Sequence, residues 1–115
     1  MSEWTAVCRI SDLVPERGAA ALVGERQVAL FRLGDDEVLA VGHRDPFSGA
    51  NVMARGLVGT RGTTTTLTSP LHKQVFDLRT GHAVDYPDVT LEPWEVRTLN
   101  GEVQIRPRSP EDLRT

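Results

Sequence analysis

The chain has 115 residues, of which 39% are hydrophobic and 25% charged, and its formal net charge is −3. These values describe a globular protein of one domain and exclude a disordered or fibrous chain. The slight excess of acidic residues suits neither nucleic acid nor an anionic membrane, so neither is expected as a partner. The N-terminus lacks the basic segment of a signal peptide, and no apolar run approaches the about eighteen residues that span a bilayer. A cytoplasmic protein is therefore expected.

A single cysteine, Cys8, limits the metal and redox chemistry that the chain can support. One thiol cannot form an internal disulfide, a cysteine-rich zinc site or a cluster held by four thiolates. Cys8 lies in an apolar run next to Val7, and it is interpreted as a small hydrophobic residue of the interior.

Short β-type runs follow one another along the chain, separated by glycine, proline and charged residues. Their alternation of apolar and polar residues predicts strands, whereas no window carries the apolar stripe of a helix; only residues 11–13 could start a helical turn. Turns about every eight to twelve residues are typical of an all-β sandwich or barrel. The predicted strands are 4–8, 20–23, 27–33, 38–41, 57–58, 64–68, 75–78, 95–99 and 102–105.

One turn and one strand have distinctive sequences. Asn100 and Gly101 separate the last two strands, and Asn-Gly between alternating segments is a strong hairpin signal because both residues tolerate positive φ. The threonines at 63–66 are β-branched and are interpreted as an edge strand. Because the sequence contains no repeat or linker, one domain is predicted over residues 3–107, followed by a frayed tail at 108–115.

Two loops carry the most informative sequence. The first reads Asp45-Pro46-Phe47 and continues with a Ser-Gly pair; the second reads Ser69-Pro70-Leu71-His72 and leads to a Phe-Asp-Leu-Arg-Thr-Gly strand and turn at 76–81. This arrangement resembles the Rieske family, in which the two ligand loops have the forms Cys-x-His and Cys-Pro-x-His. The resemblance implies an all-β, Rieske-like sandwich or barrel in which residues 43–83 form a small inserted ligand-loop subdomain.

The four ligand positions of that family are changed in this chain. Asp45 and Ser69 replace the two cysteines, Phe47 replaces the first histidine, and only His72 could still bind iron. A Rieske centre needs two thiolates on one iron and two imidazoles on the other. No cluster, and no other cofactor or metal, is therefore expected on this chain.

Residues 52–59 and 69–74 are similar to the small subunit of the assimilatory NAD(P)H-dependent nitrite reductases. That resemblance implies a non-catalytic accessory subunit, without catalytic residues of its own. It also implies a partner, the large catalytic subunit, which carries the FAD, the iron–sulfur centre and the sirohaem and reduces nitrite to ammonia.

Without a cluster, the tip formed by the two loops is interpreted as a partner-contact surface. The resemblance implies that the two loops approach each other at this tip, so Asp45 and His72 are expected to meet there, and the carboxylate would then favour the charged histidine. Phe47 and Leu71 are expected to fill the space that the cluster leaves, because empty volume forfeits contacts. Lys73 completes the tip.

Other functions remain open on the sequence alone. His43, Asp45 and His72 could form a two-histidine, one-carboxylate metal site, and Ser69 with His72 and either Asp45 or Asp77 could form a catalytic triad. A Rieske-like module of another oxidoreductase or oxygenase complex is a further alternative. The third histidine of the chain, at position 82, follows a turn and is expected to be exposed.

Overall fold

A computed structural model describes residues 3–34, 36–71 and 73–108. His72 and the predicted tail from 109 onward lie outside the described residues. All the predicted strands are found, with ends that differ by a few residues. They are β1 (Thr5–Arg9), β2 (Gly18–Val23), β3 (Arg26–Arg32), β4 (Val38–Gly42), β5 (Leu57–Arg61), β6 (Thr64–Thr68), β7 (Val75–Asp77), β8 (Trp94–Leu99) and β9 (Glu102–Pro107).

The described strands form three antiparallel sheets of three strands each, in the orders β1-β9-β8, β2-β3-β4 and β5-β6-β7. The fold is therefore all-β, as predicted. A backbone bridge between Val41 and Pro93 links the second sheet to the segment that leads into β8. The third sheet carries the two loops singled out by the sequence, one before β5 and one between β6 and β7.

Strand β3 supplies side chains to two hydrophobic cores. Successive side chains of a strand point to opposite faces, and both faces of this central strand are covered. Ala29 and Phe31 belong to the first core, which extends under the third sheet through Leu67 and Phe76. The second core, beneath the β1-β9-β8 sheet, comprises Leu13, Val28, Leu30, Val38, Ala40, Trp94, Val103 and Ile105.

Cys8 is half-buried and packs against the second core, as expected for a small hydrophobic residue. Burial, and to a smaller degree the nearby charge of Asp12, raises the pKa of its thiol. A raised pKa leaves little reactive thiolate at neutral pH.

The interpretation of the threonine run as an edge strand is wrong. Strand β6 is the central strand of its sheet and pairs with β5 on one side and with β7 on the other. Its adjacent residues Thr66, which is 6% exposed, and Leu67, which is fully buried, point to opposite faces, so both faces of the strand are covered there. Threonine fits a central strand as well as an edge because its branched β-carbon packs well on the pleated surface.

Two 3₁₀ turns interrupt the strands. The first spans Ile10–Asp12, close to the turn predicted at 11–13, and the second spans Met53–Arg55, where no turn is predicted from the sequence. The described part of the chain contains no helix long and apolar enough to cross a membrane.

Replacing Gly101 with alanine is expected to lower the free energy of unfolding by about 1–2 kcal/mol, because its φ of +81° lies in the left-handed region. A new β-carbon would also come within 2.5 Å of Arg9 Nη2, although that flexible side chain can move away. Asn100, at φ +51°, is the matched control: Asn100→Gly retains a residue suited to this turn and should change stability little. Urea denaturation of the two variants checks the difference, and equal losses would contradict the argument.

Candidate functional site

The two loops are closed by backbone hydrogen bonds of their own. In the first loop, the Asp45 amide donates to the Ala50 carbonyl at 2.8 Å and the Gly49 amide donates to the Asp45 carbonyl at 2.7 Å. In the second loop, the Ser69 amide donates to the Gln74 carbonyl at 2.8 Å. Each loop therefore has a defined shape before the contacts between them are considered.

A buried hydrogen bond joins the two loops at the positions of the family's cysteines. The Ser69 hydroxyl donates to Asp45 Oδ2 at 2.7 Å, and the two residues are 1% and 0% exposed. The Phe47 amide donates to Asp45 Oδ1 at 2.8 Å, and the Leu71 amide donates to the Ser69 hydroxyl at 3.2 Å. The expected contact of Asp45 with His72 lies outside the described residues; the partner that the sequence reasoning missed is Ser69.

These residues do not fit a Rieske-type cluster. At the thiolate positions, the carboxyl group of Asp45 and the hydroxyl group of Ser69 are hydrogen-bonded to each other, so neither is directed at a shared iron. The phenyl ring of Phe47, at a histidine position, has no donor atom for a metal.

Phe47 is the centre of an aromatic cluster at the tip. Its ring lies 5.9 Å from that of the buried Phe76 and 5.5 Å from that of Tyr86, the latter in an edge-to-face arrangement. Such spacings are favourable for aromatic pairs. Phe47 and Leu71 are each 37% exposed, so the residues expected to fill the cluster's place also reach the surface. Lys73 is exposed beside them.

His43, at the start of the first loop, serves a structural role. Its side chain is 8% exposed, and its Nδ1 accepts a hydrogen bond from the Ala54 amide at 3.1 Å. Burial and, secondarily, the charge of Arg55 lower the pKa of His43, which favours the neutral ring. His82 is exposed, as expected, and its Nδ1 lies 2.9 Å from the Pro87 carbonyl oxygen.

The metal set and the catalytic triad considered from the sequence both include His72, which lies outside the described residues, so the structure shows only their other members. Within 3–34, 36–71 and 73–108, no three histidine, cysteine, aspartate or glutamate side chains are grouped to hold a metal ion. For the triad, Ser69 is buried and its hydroxyl donates a hydrogen bond directly to Asp45, which is not the geometry of an activated nucleophile. Asp77 instead accepts hydrogen bonds from the amides of Arg79 and Thr80 in a turn.

Acidification below pH 6.5 is expected to destabilise the fold through His43. The folded state holds the pKa of His43 below its ordinary value of 6.5, so the unfolded chain binds the extra proton first as the pH falls. The stability is therefore present above pH 6.5 and is lost progressively between that value and the lower folded pKa. Urea denaturation above and below pH 6.5 should show a smaller pH effect for His43→Asn, whose amide oxygen can still accept from Ala54. An unchanged pH dependence in that variant would contradict this assignment.

Comparison with known proteins shows the family to which the chain belongs. Residues 3–106 match the family model described as "Rieske-like [2Fe-2S] domain". The small subunit of the NADH nitrite reductase of Escherichia coli K12 is 38% identical over 107 residues, which is 92% of this chain and 99% of that protein. A crystal structure of an NADH-dependent nitrite reductase small subunit from Mycobacterium tuberculosis is 44% identical, covers 91% of this chain and 95% of its own, and has a TM-score of 0.87.

A third relative differs in its organisation. The large subunit of the NAD(P)H nitrite reductase of Klebsiella oxytoca is 40% identical over 102 residues, which is 89% of this chain and 11% of that protein. The fold and the two loops thus define a Rieske-like domain. The chain belongs to the family of nitrite reductase small subunits.

Proposed function

We propose that this chain is the non-catalytic accessory small subunit of a cytoplasmic, assimilatory NAD(P)H-dependent nitrite reductase. It holds no iron–sulfur cluster, and the reduction of nitrite to ammonia takes place on the large subunit, with the FAD, sirohaem and iron–sulfur centre there. The observation that carries the proposal is the buried hydrogen bond between Ser69 and Asp45, which occupies the two cysteine positions of a Rieske domain.

The state of the buried polar side chains supports a non-catalytic role. The buried polar residues are His43, Asp45, Thr66 and Ser69, and among the described residues no buried side-chain nitrogen or oxygen lacks a hydrogen-bond partner. Catalytic sites commonly keep a polar group available for substrate, whereas here such groups are used in holding the fold.

The comparisons support the choice of partner. Proteins that match this chain over nearly their whole length are named as small subunits of nitrite reductase. In the Klebsiella oxytoca protein, a matching region forms part of a polypeptide named as the large subunit. A domain that occurs both as a separate chain and within the larger enzyme chain is expected to bind that enzyme when separate.

The absence of a cluster is tested by iron and sulfide analysis of the chain after anaerobic purification and reconstitution, together with its visible spectrum. The wild-type chain should bind no stoichiometric iron and remain colourless. The control is the triple variant Asp45→Cys, Phe47→His, Ser69→Cys, which restores the two thiolates and the first imidazole beside the natural His72 and should take up iron. A coloured wild-type chain with stoichiometric iron would disprove this part of the proposal.

The accessory role is tested by mixing the chain with the purified large subunit of the same organism. The two should co-elute in size-exclusion chromatography, and the small chain alone should not reduce nitrite with NADH or NADPH. If the chain instead forms a complex only with another oxidoreductase or oxygenase, it is a Rieske-like interaction module of that complex, and the assignment to a nitrite reductase is wrong. A stoichiometric metal on the isolated chain would favour the metal-binding alternative.

A further inference from the structure

Three exposed apolar side chains lie on the two loops and on the segment after β7. Phe47 and Leu71 are each 37% exposed and Tyr86 is 52% exposed, and we call these three residues the apolar tip. Tyr86 comes from the segment after β7, which the sequence did not connect with the two loops. Its ring contacts that of Phe47 at 5.5 Å between centroids. Contiguous apolar side chains at the surface mark sites of protein–protein interaction.

The apolar tip is held rigid from beneath. The Phe47 amide is bound to Asp45 and the Leu71 amide to Ser69, so the buried pair fixes the backbone on both sides. Phe76, fully buried, supports the ring of Phe47. A surface whose shape is fixed before binding loses little conformational entropy on association, and rigid aromatic residues are favoured as binding anchors for that reason.

The matching region within the large subunit of Klebsiella oxytoca indicates what the apolar tip would meet. In this chain the ends of the domain lie on β1 and β9, which cover the second core. The apolar tip packs instead on Phe76 of the first core. A domain that is fused to an enzyme through its ends therefore leaves the tip free to contact the rest of that enzyme. The same tip is free to contact the enzyme when the domain is a separate chain.

We infer that the apolar tip is the docking surface for the large catalytic subunit and that it inserts into an apolar depression on that subunit. The inference rests on the proposed function, which supplies the partner. Phe47 and Tyr86 provide the aromatic anchors, Leu71 extends the apolar contact onto the second loop, and the exposed Lys73 lies at the polar rim.

Isothermal titration of the purified large subunit with the small chain tests this inference. Leu71→Glu and Tyr86→Glu each place a charge on the tip and should weaken binding at least about tenfold, as expected for residues that anchor an interface. The matched control is Leu99→Glu: this side chain is 46% exposed and ends β8 in the first sheet, where it pairs with Glu102, so its replacement should change the affinity by less than about twofold. Tyr86→Ala serves as a milder variant, and thermal melting confirms that each protein is folded.

The outcomes separate this inference from the proposed function. If the wild-type chain binds the large subunit and the tip variants bind equally well, or the control is weakened as much as they are, the docking surface lies elsewhere and the accessory role stands. If the wild-type chain does not bind, the proposed function itself fails. Sedimentation of the small chain alone gives the remaining outcome: a dimer that the tip variants abolish would assign the surface to a second copy and overturn the inference.

Discussion

Asp45→Ala is expected to lower the free energy of unfolding by roughly 2–5 kcal/mol, because it leaves one buried and one partly buried donor without an acceptor. Those donors are the Ser69 hydroxyl and the Phe47 amide, which bind the two carboxyl oxygens at 2.7 and 2.8 Å. The side chain is fully buried, so water cannot easily replace it. Urea denaturation at neutral pH measures the loss.

A double-mutant cycle separates this contact from the effect of removing volume. Ser69→Ala leaves one carboxyl oxygen of Asp45 without its 2.7 Å donor and should also be destabilising. The double variant removes both partners, so its loss should be smaller than the sum of the two single losses by about 1 kcal/mol or more. Additive losses would show that the hydrogen bond between the loops does not stabilise the fold. Asp45→Asn, which retains the shape, should be milder than Asp45→Ala.

The strands could be predicted because their signals are local. Alternation of side chains and turn residues are properties of neighbouring residues, and Asn100 with Gly101 adopts the positive φ values that the hairpin signal requires. The position of a strand within its sheet is not local, which is why the threonine run of β6 was assigned to an edge although it lies between β5 and β7.

The candidate site was predicted in part, for the same reason. The resemblance of the ligand loops singled out Asp45 and Ser69 because short motifs mark those positions, and the structure joins these two residues by a hydrogen bond. The partner of Asp45 was not predicted, since a hydroxyl group carries no charge that would single it out from the sequence. Tyr86 was missed because its contact with Phe47 joins distant parts of the chain, and an exposed tyrosine in a loop has no pattern of its own.

Gly18→Ala is expected to be among the most damaging single substitutions outside the loops. A β-carbon at Gly18 would lie 2.0 Å from the Ala54 carbonyl oxygen and 2.8 Å from Phe31 Cε1, distances that no real contact has. Overpacking of this kind costs about 3 kcal/mol or more when the neighbours cannot move. For a domain of this size the corresponding fall in melting temperature is roughly 10 °C or more.

The neighbours of Gly18 are fixed because the 3₁₀ turn at Met53–Arg55 is confined on both sides. The Ala54 amide is bound to His43 Nδ1, and Gly56, just after the turn, approaches β6 so closely that its own β-carbon would lie 2.6 Å from the Thr68 carbonyl oxygen. The turn therefore has no room to retreat from β2. Gly59→Ala is the matched control in another strand: its β-carbon would meet only Thr66 Oγ1, at an ordinary 3.5 Å. Thermal denaturation should show a large fall for Gly18→Ala and little change for Gly59→Ala, and similar effects at both positions would mean that the turn can yield. Because the same turn holds His43 in place, a destabilised Gly18→Ala protein should also lose part of the pH dependence assigned to that histidine.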